Sequence, residues 1–167
     1  MSSLPLEIIK VSNFKSIREL NLELNNLNIL IGANGAGKSN FINIFKFLNN
    51  LVNKNLQVYV KQSGGADQIL HFGRKNSNEL DIELWFESNN KKSNGYKCSL
   101  IPTNDDTLIF LEEKAYFHNR NLYQNPYETN LGSGHTESRL ADYITTPVVN
   151  YVFSDIKSWR KIGRAHV

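Results

Sequence analysis

With a single cysteine, Cys98, in 167 residues, no intramolecular disulfide is possible. The fold must therefore rest on a buried core, and a reducing cytoplasm is the expected compartment. No stretch approaches the ~18 consecutive apolar residues of a membrane-crossing helix, so no membrane contact is expected. The opening Met1-Ser2-Ser3-Leu4-Pro5 lacks the basic and apolar regions of a signal peptide. Charge of either sign is in short supply: 19 Lys and Arg stand against 16 Asp and Glu, a formal +3. That is too weak a balance to mark a nucleic-acid binder. Lys91-Lys92 and Arg160-Lys161 are small clusters expected on solvated surface. No two of His71, His118 and His135 have metal-ligand spacing, and all three are expected at the surface or in loops. There is no internal repeat and no low-complexity tract beyond asparagine-rich loops. A chain of this length is one domain or part of one.

Against that background, Gly32-Ala33-Asn34-Gly35-Ala36-Gly37-Lys38-Ser39 stands out as G-x-x-x-x-G-K-S, the phosphate-binding loop of nucleoside triphosphatases. Average residue usage would produce that match in a chain this long roughly once in 200 tries. The chemistry explains the pattern. Gly32, Gly35 and Gly37 let the backbone turn sharply without a Cβ, so that successive N–H groups converge on a phosphate. The helix opening near Gly37 adds its unpaired N–H groups and the positive end of its dipole. Lys38 is expected on the β- and γ-phosphates, and the Ser39 hydroxyl on Mg²⁺, a hard ion that prefers oxygen. Asn34 is expected to cap or orient the loop near the γ-phosphate. These residues imply ATP and Mg²⁺ as ligands. The alternative is a glycine turn ahead of an ordinary helix.

The flanks have the arrangement such a loop needs. Leu27 to Ile31 is an apolar run expected as the strand feeding it. Phe41, Ile44, Phe45, Leu48, Leu51 and Val52 form one helical face after it. Upstream, Leu6 to Asn13 predicts a strand, and Leu20, Leu22 and Leu24 alternate with polar residues as a second. Leu56 to Gln62 fits a helix or a strand equally. Leu80 to Phe86, Tyr96 to Ile101 and a segment starting at Leu108 predict an antiparallel meander at about 79–117. His118 to Gly134 reads as a long polar loop. Leu140 and Ile144 suggest a short helix that Pro147 interrupts, and Val149, Val152, Phe153, Ile156 and Trp159 share a helical face.

The first thirty-nine residues resemble the N-terminal lobe of the RecF, SMC and ABC-type ATPases. The resemblance rests on Ile8-Ile9-Lys10-Val11-Ser12-Asn13-Phe14-Lys15-Ser16-Ile17, the alternating leucine strand, and the loop continued through Asn40-Phe41-Ile42. Ser63 to Gly73 and the run to Trp159-Arg160 are similar to bacterial AAA-family predicted ATPases, extending the likeness over residues 6 to 161. It implies an α/β fold: a P-loop NTPase head of ABC/RecF/SMC type, here its N-terminal lobe with the meander beside a nucleotide-binding sheet. It also implies ATP hydrolysis by the full-length protein, heads that pair as a homodimer on ATP, and work in DNA repair, chromosome maintenance or phage defence, with DNA or a DNA-processing protein as partner. By position, Lys15, Ser16 and Asn40 match residues near the nucleotide, although Lys15 reads equally well as a surface lysine.

Three parts of such an ATPase have imitations rather than clear matches. Leu108-Ile109-Phe110-Leu111-Glu112-Glu113 imitates the Walker B strand, which carries a metal-binding carboxylate and the base that activates water. It begins with Glu, follows a hairpin turn and comes too early, so a meander strand is expected there. Gln62-Ser63-Gly64-Gly65 imitates the signature loop but lies too close to the phosphate loop. Gln57, Gln62 and Gln68 are three open choices for a glutamine near the metal. No switch histidine is evident. The chain is therefore expected to hold nucleotide without fast turnover. A nucleotide-gated binding module and another P-loop enzyme, a GTPase or a kinase, are the alternatives; Asn53-Lys54-Asn55-Leu56 comes nearest to a guanine-reading pattern and lacks its Asp. Residues 162–167 resemble a translated sequencing adapter and are expected to be a non-native tail, leaving 1–161 as the lobe and the natural chain continuing past Lys161.

Overall fold

The computed structural model describes residues 4–35, 37–88 and 90–161. The tail at 162–167 lies outside them. Among the described residues, six strands form one antiparallel sheet in the order β2-β1-β3-β4-β5-β6. They are β1 (Leu6–Phe14), β2 (Ile17–Glu23), β3 (Leu80–Ser88), β4 (Lys92–Pro102), β5 (Leu108–Asn119) and β6 (Tyr127–Gly132). Four helices, α1 (Lys38–Val52), α2 (Leu56–Gln62), α3 (Ala66–Ile69) and α4 (Pro147–Lys157), complete a mixed α/β fold, with short 3-10 turns at Leu140–Tyr143 and Ser158–Lys161. No helix among the described residues is long and apolar enough to cross a membrane.

The strand alternation predicts the layers. Ile9 pairs with Leu84, and Leu84 with Tyr96, while Val11, Ile82 and Cys98 make the next row. All are buried, in one core with Ile44, Phe47, Leu48 and Leu51 of α1 and Val149, Val152 and Ile156 of α4. The intervening residues turn outward, where Lys10–Glu83 (3.0 Å) and Lys97–Glu112 (3.5 Å) are partly exposed ion pairs. Pairs in that position contribute well under ~1 kcal/mol each.

Several expectations are corrected, and the open choice at Leu56–Gln62 is resolved. Phe47, missing from the expected stripe of α1, is fully buried, edge-on to Phe14 (5.6 Å) and Tyr59 (5.7 Å), while Phe41 and Phe45 are only partly covered. Leu56–Gln62 is a helix, whose first two amides are capped by the Glu137 carboxylate (2.8 and 3.0 Å). The long loop after His118 contains a strand, β6, paired to β5 through backbone bonds that its polar side chains do not betray. Pro147 opens α4 rather than breaking a helix, where its missing N–H costs nothing.

Leu27 to Ile31 forms no strand. Leu27 is 78% and Ile31 90% exposed, so an apolar strand sequence stands without ladder partners. A strand needs neighbours for its backbone groups, and this segment pairs with neither open edge of the described sheet, β2 or β6. The nucleotide-binding sheet expected beside the meander is accordingly absent among the described residues; β1 and β2 instead extend the meander itself.

The Walker B imitation is a meander strand, as expected. A bulge leaves Leu111 unpaired between Glu112, opposite Ser99, and Phe110, opposite Leu100. The extra residue reverses the alternation and turns Glu113 inward. That carboxylate is fully buried, and it accepts from Tyr96 Oη (2.9 Å), Ser138 Oγ (2.5 Å), His135 Nε2 (2.8 Å) and the Arg139 amide (2.9 Å). His135 lies in a loop, one of its two expected placements, with its ring buried and stacked on Phe110 at 4.4 Å. The neighbouring Cys98 thiol is pushed far up by burial and is unreactive. Glu113 thus ties residues 135–139 to the sheet. Glu113→Leu should cost roughly 3–5 kcal/mol by urea denaturation, because four buried donors lose their acceptor. Glu112→Ala, on the outer face, should cost less than ~1 kcal/mol in the same measurement.

Candidate functional site

The G-x-x-x-x-G-K-S segment leads directly into α1. Gly35 and Gly37 have φ of 86° and 89°, in the left-handed region that side chains disfavour. Helix α1 starts at Lys38, and the first bond back into it is Phe41 N to Gly37 O (3.0 Å). No side chain caps this end and no acidic residue lies in the first turn. The amides of residues 38 to 40 are therefore left for an outside acceptor, and no carboxylate of the first turn repels an anion. The Lys38 ammonium lies on the loop itself, against Gly32 O and, at 2.7 Å, Ala33 O. Ser39 is exposed. Asn34 sits at the exposed tip of the turn, and Ala36 falls outside the described residues.

The β1–β2 hairpin is brought against the start of this helix. Asn40 Nδ2 donates to Ser16 Oγ at 2.7 Å, and a Cβ on Gly37 would lie 3.7 Å from the same hydroxyl. Of the residues expected beside the loop, Ser16 and Asn40 are in direct contact. Lys15 occupies the adjacent turn position at φ 50°, and its ammonium has no partner among the described residues. The turn is strapped from the far side: Lys15 N donates to Ile69 O (2.7 Å), His71 N to Asn13 O (3.1 Å), and His71 Nδ1 lies 2.7 Å from Lys15 O.

Beyond the turn lies an open cleft of about 430 Å³ lined by Lys15, Asn40, Gln68, Leu70 and Phe72. Of the three glutamines, Gln57 is committed to Leu108 O (2.8 Å) and Thr136 O (2.7 Å), Gln62 ends α2 on the surface, and Gln68 reaches this cleft. Asp67 also borders the cleft. Hydrogen bonds from the Arg74 amide (2.8 Å) and guanidinium (3.2 Å) hold its carboxyl below the usual carboxylate range. Phe72 was invisible as a site residue in the sequence, and Gln68 was one of three open choices, because only the strapping of residues 69–71 to β1 carries them to α1.

The signature-loop imitation has a structural explanation. Gly65 approaches Asp106 so closely that an added Cβ would lie 1.8 Å from its Oδ2, and φ is 94°. Asp106 in turn accepts from Asp67 N (3.0 Å) and lies 3.3 Å from Arg74 Nε.

The phosphate side suits an anion in its bare amides and its left-handed glycines, with Lys38 close by on the loop carbonyls. For Mg²⁺ the described residues offer the Ser39 hydroxyl, so the metal fits there only together with phosphate oxygens. The model of the AAA ATPase domain family matches residues 5–144. The chain belongs to that family of P-loop ATPases. It is also similar to the tungstate uptake system ATP-binding protein TupC of Campylobacter jejuni, 40% identical over 53 residues. That match covers 32% of this chain and 14% of the relative's length.

Gly65→Ala should destabilise the protein by about 1–3 kcal/mol, since it adds both strain at positive φ and a clash with Asp106. A lowered urea midpoint checks this. An unchanged midpoint would refute the close packing.

Proposed function

We propose that this chain is the ATP-cradling lobe of a head that, complete, hydrolyses ATP. The observation that carries the reading is the bare first turn of α1, uncapped and free of carboxylates behind a glycine-bounded loop. In it Gly35 and Gly37 shape the curl, the amides of 38 to 40 receive the β-phosphate, and Lys38 leaves Gly32 O and Ala33 O for the β- and γ-phosphates. Ser39 holds Mg²⁺ jointly with the nucleotide. Asn40, through Ser16, fixes the β1–β2 turn so that Lys15 stands near the nucleotide phosphates. A bound Mg²⁺ supplies charge neutralisation at the phosphate to be transferred.

Hydrolysis needs a base and a metal-binding carboxylate, and the described residues bring neither to the loop: Glu113 is engaged in the core and Asp67 with Arg74. The lobe by itself therefore retains nucleotide, and turnover belongs to a longer protein in which residues 1–161 are one lobe. The exposed Leu27–Ile31 strand sequence supports this, since it needs further strands to cover it. Pairing of two heads and a role in DNA repair, chromosome maintenance or phage defence are extensions suggested by the resemblance to RecF and SMC heads. From TupC only ATP binding carries over.

The second reading is a module that is gated by nucleotide and never turns it over, favoured by the same lack of a placed carboxylate. Phosphate release measured with Mg²⁺-ATP separates the two: hydrolysis by the full-length form supports the first, and none supports the second. Fast release by residues 1–167 alone would defeat the division of labour argued above. Lys38→Ala should abolish Mg²⁺-ATP binding in calorimetry while changing stability by less than ~0.5 kcal/mol, because the side chain serves the ligand and is not part of the core. Ser39→Ala should bring the ATP affinity in Mg²⁺ down to that measured in EDTA.

A further inference from the structure

Of the six non-glycine residues at positive φ among the described residues, three gather where the end of β1 and its turn meet the 70–77 loop beside α1: Asn13 (61°), Lys15 (50°) and Phe72 (54°). For a bulky aromatic the left-handed region is a true outlier. Phe72 is also 79% exposed, so burial does not explain the conformation. Nor is the loop slack. His71 N is tied to Asn13 O, Gly73 N to Leu70 O (3.1 Å), Asn76 Nδ2 to Phe72 O (2.7 Å) and Ser77 Oγ to His71 O (2.6 Å). The backbone on both sides of Phe72 is pinned, and the ring is held out at the cleft that Lys15, Asn40 and Gln68 also line. Strain maintained by its surroundings is characteristic of ligand clamps.

We propose that Phe72 is the platform on which the base of the nucleotide stacks, and that the Gln68 amide reads the edge of that base. This rests on the phosphate-loop reading given above. The cleft adjoins the first turn of α1 through Asn40, and its roughly 430 Å³ falls in the range of small-ligand sites. An aromatic face receives any base, so Phe72 supplies affinity. A carboxamide offers one donor and one acceptor side by side, which matches N7 and N6 of adenine and mismatches the two acceptors of guanine. The Gln68 backbone N–H is bonded to Gly65 O (3.2 Å), while its carboxamide has no hydrogen-bond partner among the described residues and is available for that contact. The Asp67 carboxylate, which also borders the cleft, is turned to Arg74.

Calorimetric titration of the intact protein with Mg²⁺-ATP, Mg²⁺-GTP and Mg²⁺-tripolyphosphate tests this. Tripolyphosphate has the phosphates and no base. Phe72→Ala should weaken ATP roughly tenfold or more and leave tripolyphosphate unchanged, with Phe72→Trp retaining ATP affinity. Gln68→Ala should narrow the preference for ATP over GTP. Unchanged ATP affinity in Phe72→Ala overturns the proposal while leaving the phosphate loop intact. An accompanying change in self-association would then assign the ring to a contact between copies. Equal losses for ATP and tripolyphosphate, or Gln68→Ala leaving the ATP-to-GTP ratio untouched, also overturn it. If the unmodified protein binds neither ATP nor tripolyphosphate, the phosphate-loop reading itself fails. The exposed ring makes no core contact, so unaltered thermal midpoints should accompany the Phe72 variants.

Discussion

Helix α1 has to satisfy two opposed demands, and the rest of the molecule is arranged around them. Its middle and end carry Ile44, Phe47, Leu48 and Leu51, which are fully buried in the core. Its beginning carries amides with no intrahelical partner and no side-chain cap. Burying the second kind of end is costly, so the apolar stripe must dock the helix while leaving its first turn open to solvent. Phe47, held between Phe14 and Tyr59, anchors the docked part. The open end then lies beside the β1–β2 turn that Phe14 introduces.

That turn is where the fold becomes a site. Two backbone bonds from Lys15 and His71, together with the isolated bridge between Phe14 and Leu70, join a hairpin and a loop separated by more than fifty residues. Backbone bonds of this kind are indifferent to side-chain identity. They let Lys15, Ser16, Gln68 and Phe72 vary in chemistry while keeping their positions. The same logic explains the false resemblances. Glu112 and Glu113 imitate a catalytic pair, yet a bulge assigns one to the surface and the other to a buried hub with His135, Tyr96 and Ser138. Gly64-Gly65 imitates a signature loop and serves close packing against Asp106.

Much of this was legible from residue order, and the exceptions share a cause. Strands β1 to β5 and helices α1 and α4 follow from alternation and helical spacing, since each has one face to bury. Strand β6 escaped because its side chains are polar and its pairing is purely backbone. The Leu27–Ile31 segment misled in the other direction: its composition is that of a strand, but pairing is a property of neighbours. At the site, the phosphate loop was readable as a contiguous motif, whereas the cleft was not.

What the chain determined by itself is local. Glycines at 35 and 37, a lysine at 38 and a hydroxyl at 39 mark left-handed turns running into the start of a helix, because such a motif needs only consecutive residues. What tertiary structure alone decided is adjacency: which turn leans on that helix, which way Glu113 faces, and that Phe72 is held out beside Asn40. Those outcomes depend on hydrogen bonds and bulges between segments distant along the chain, and residue type carries no record of them.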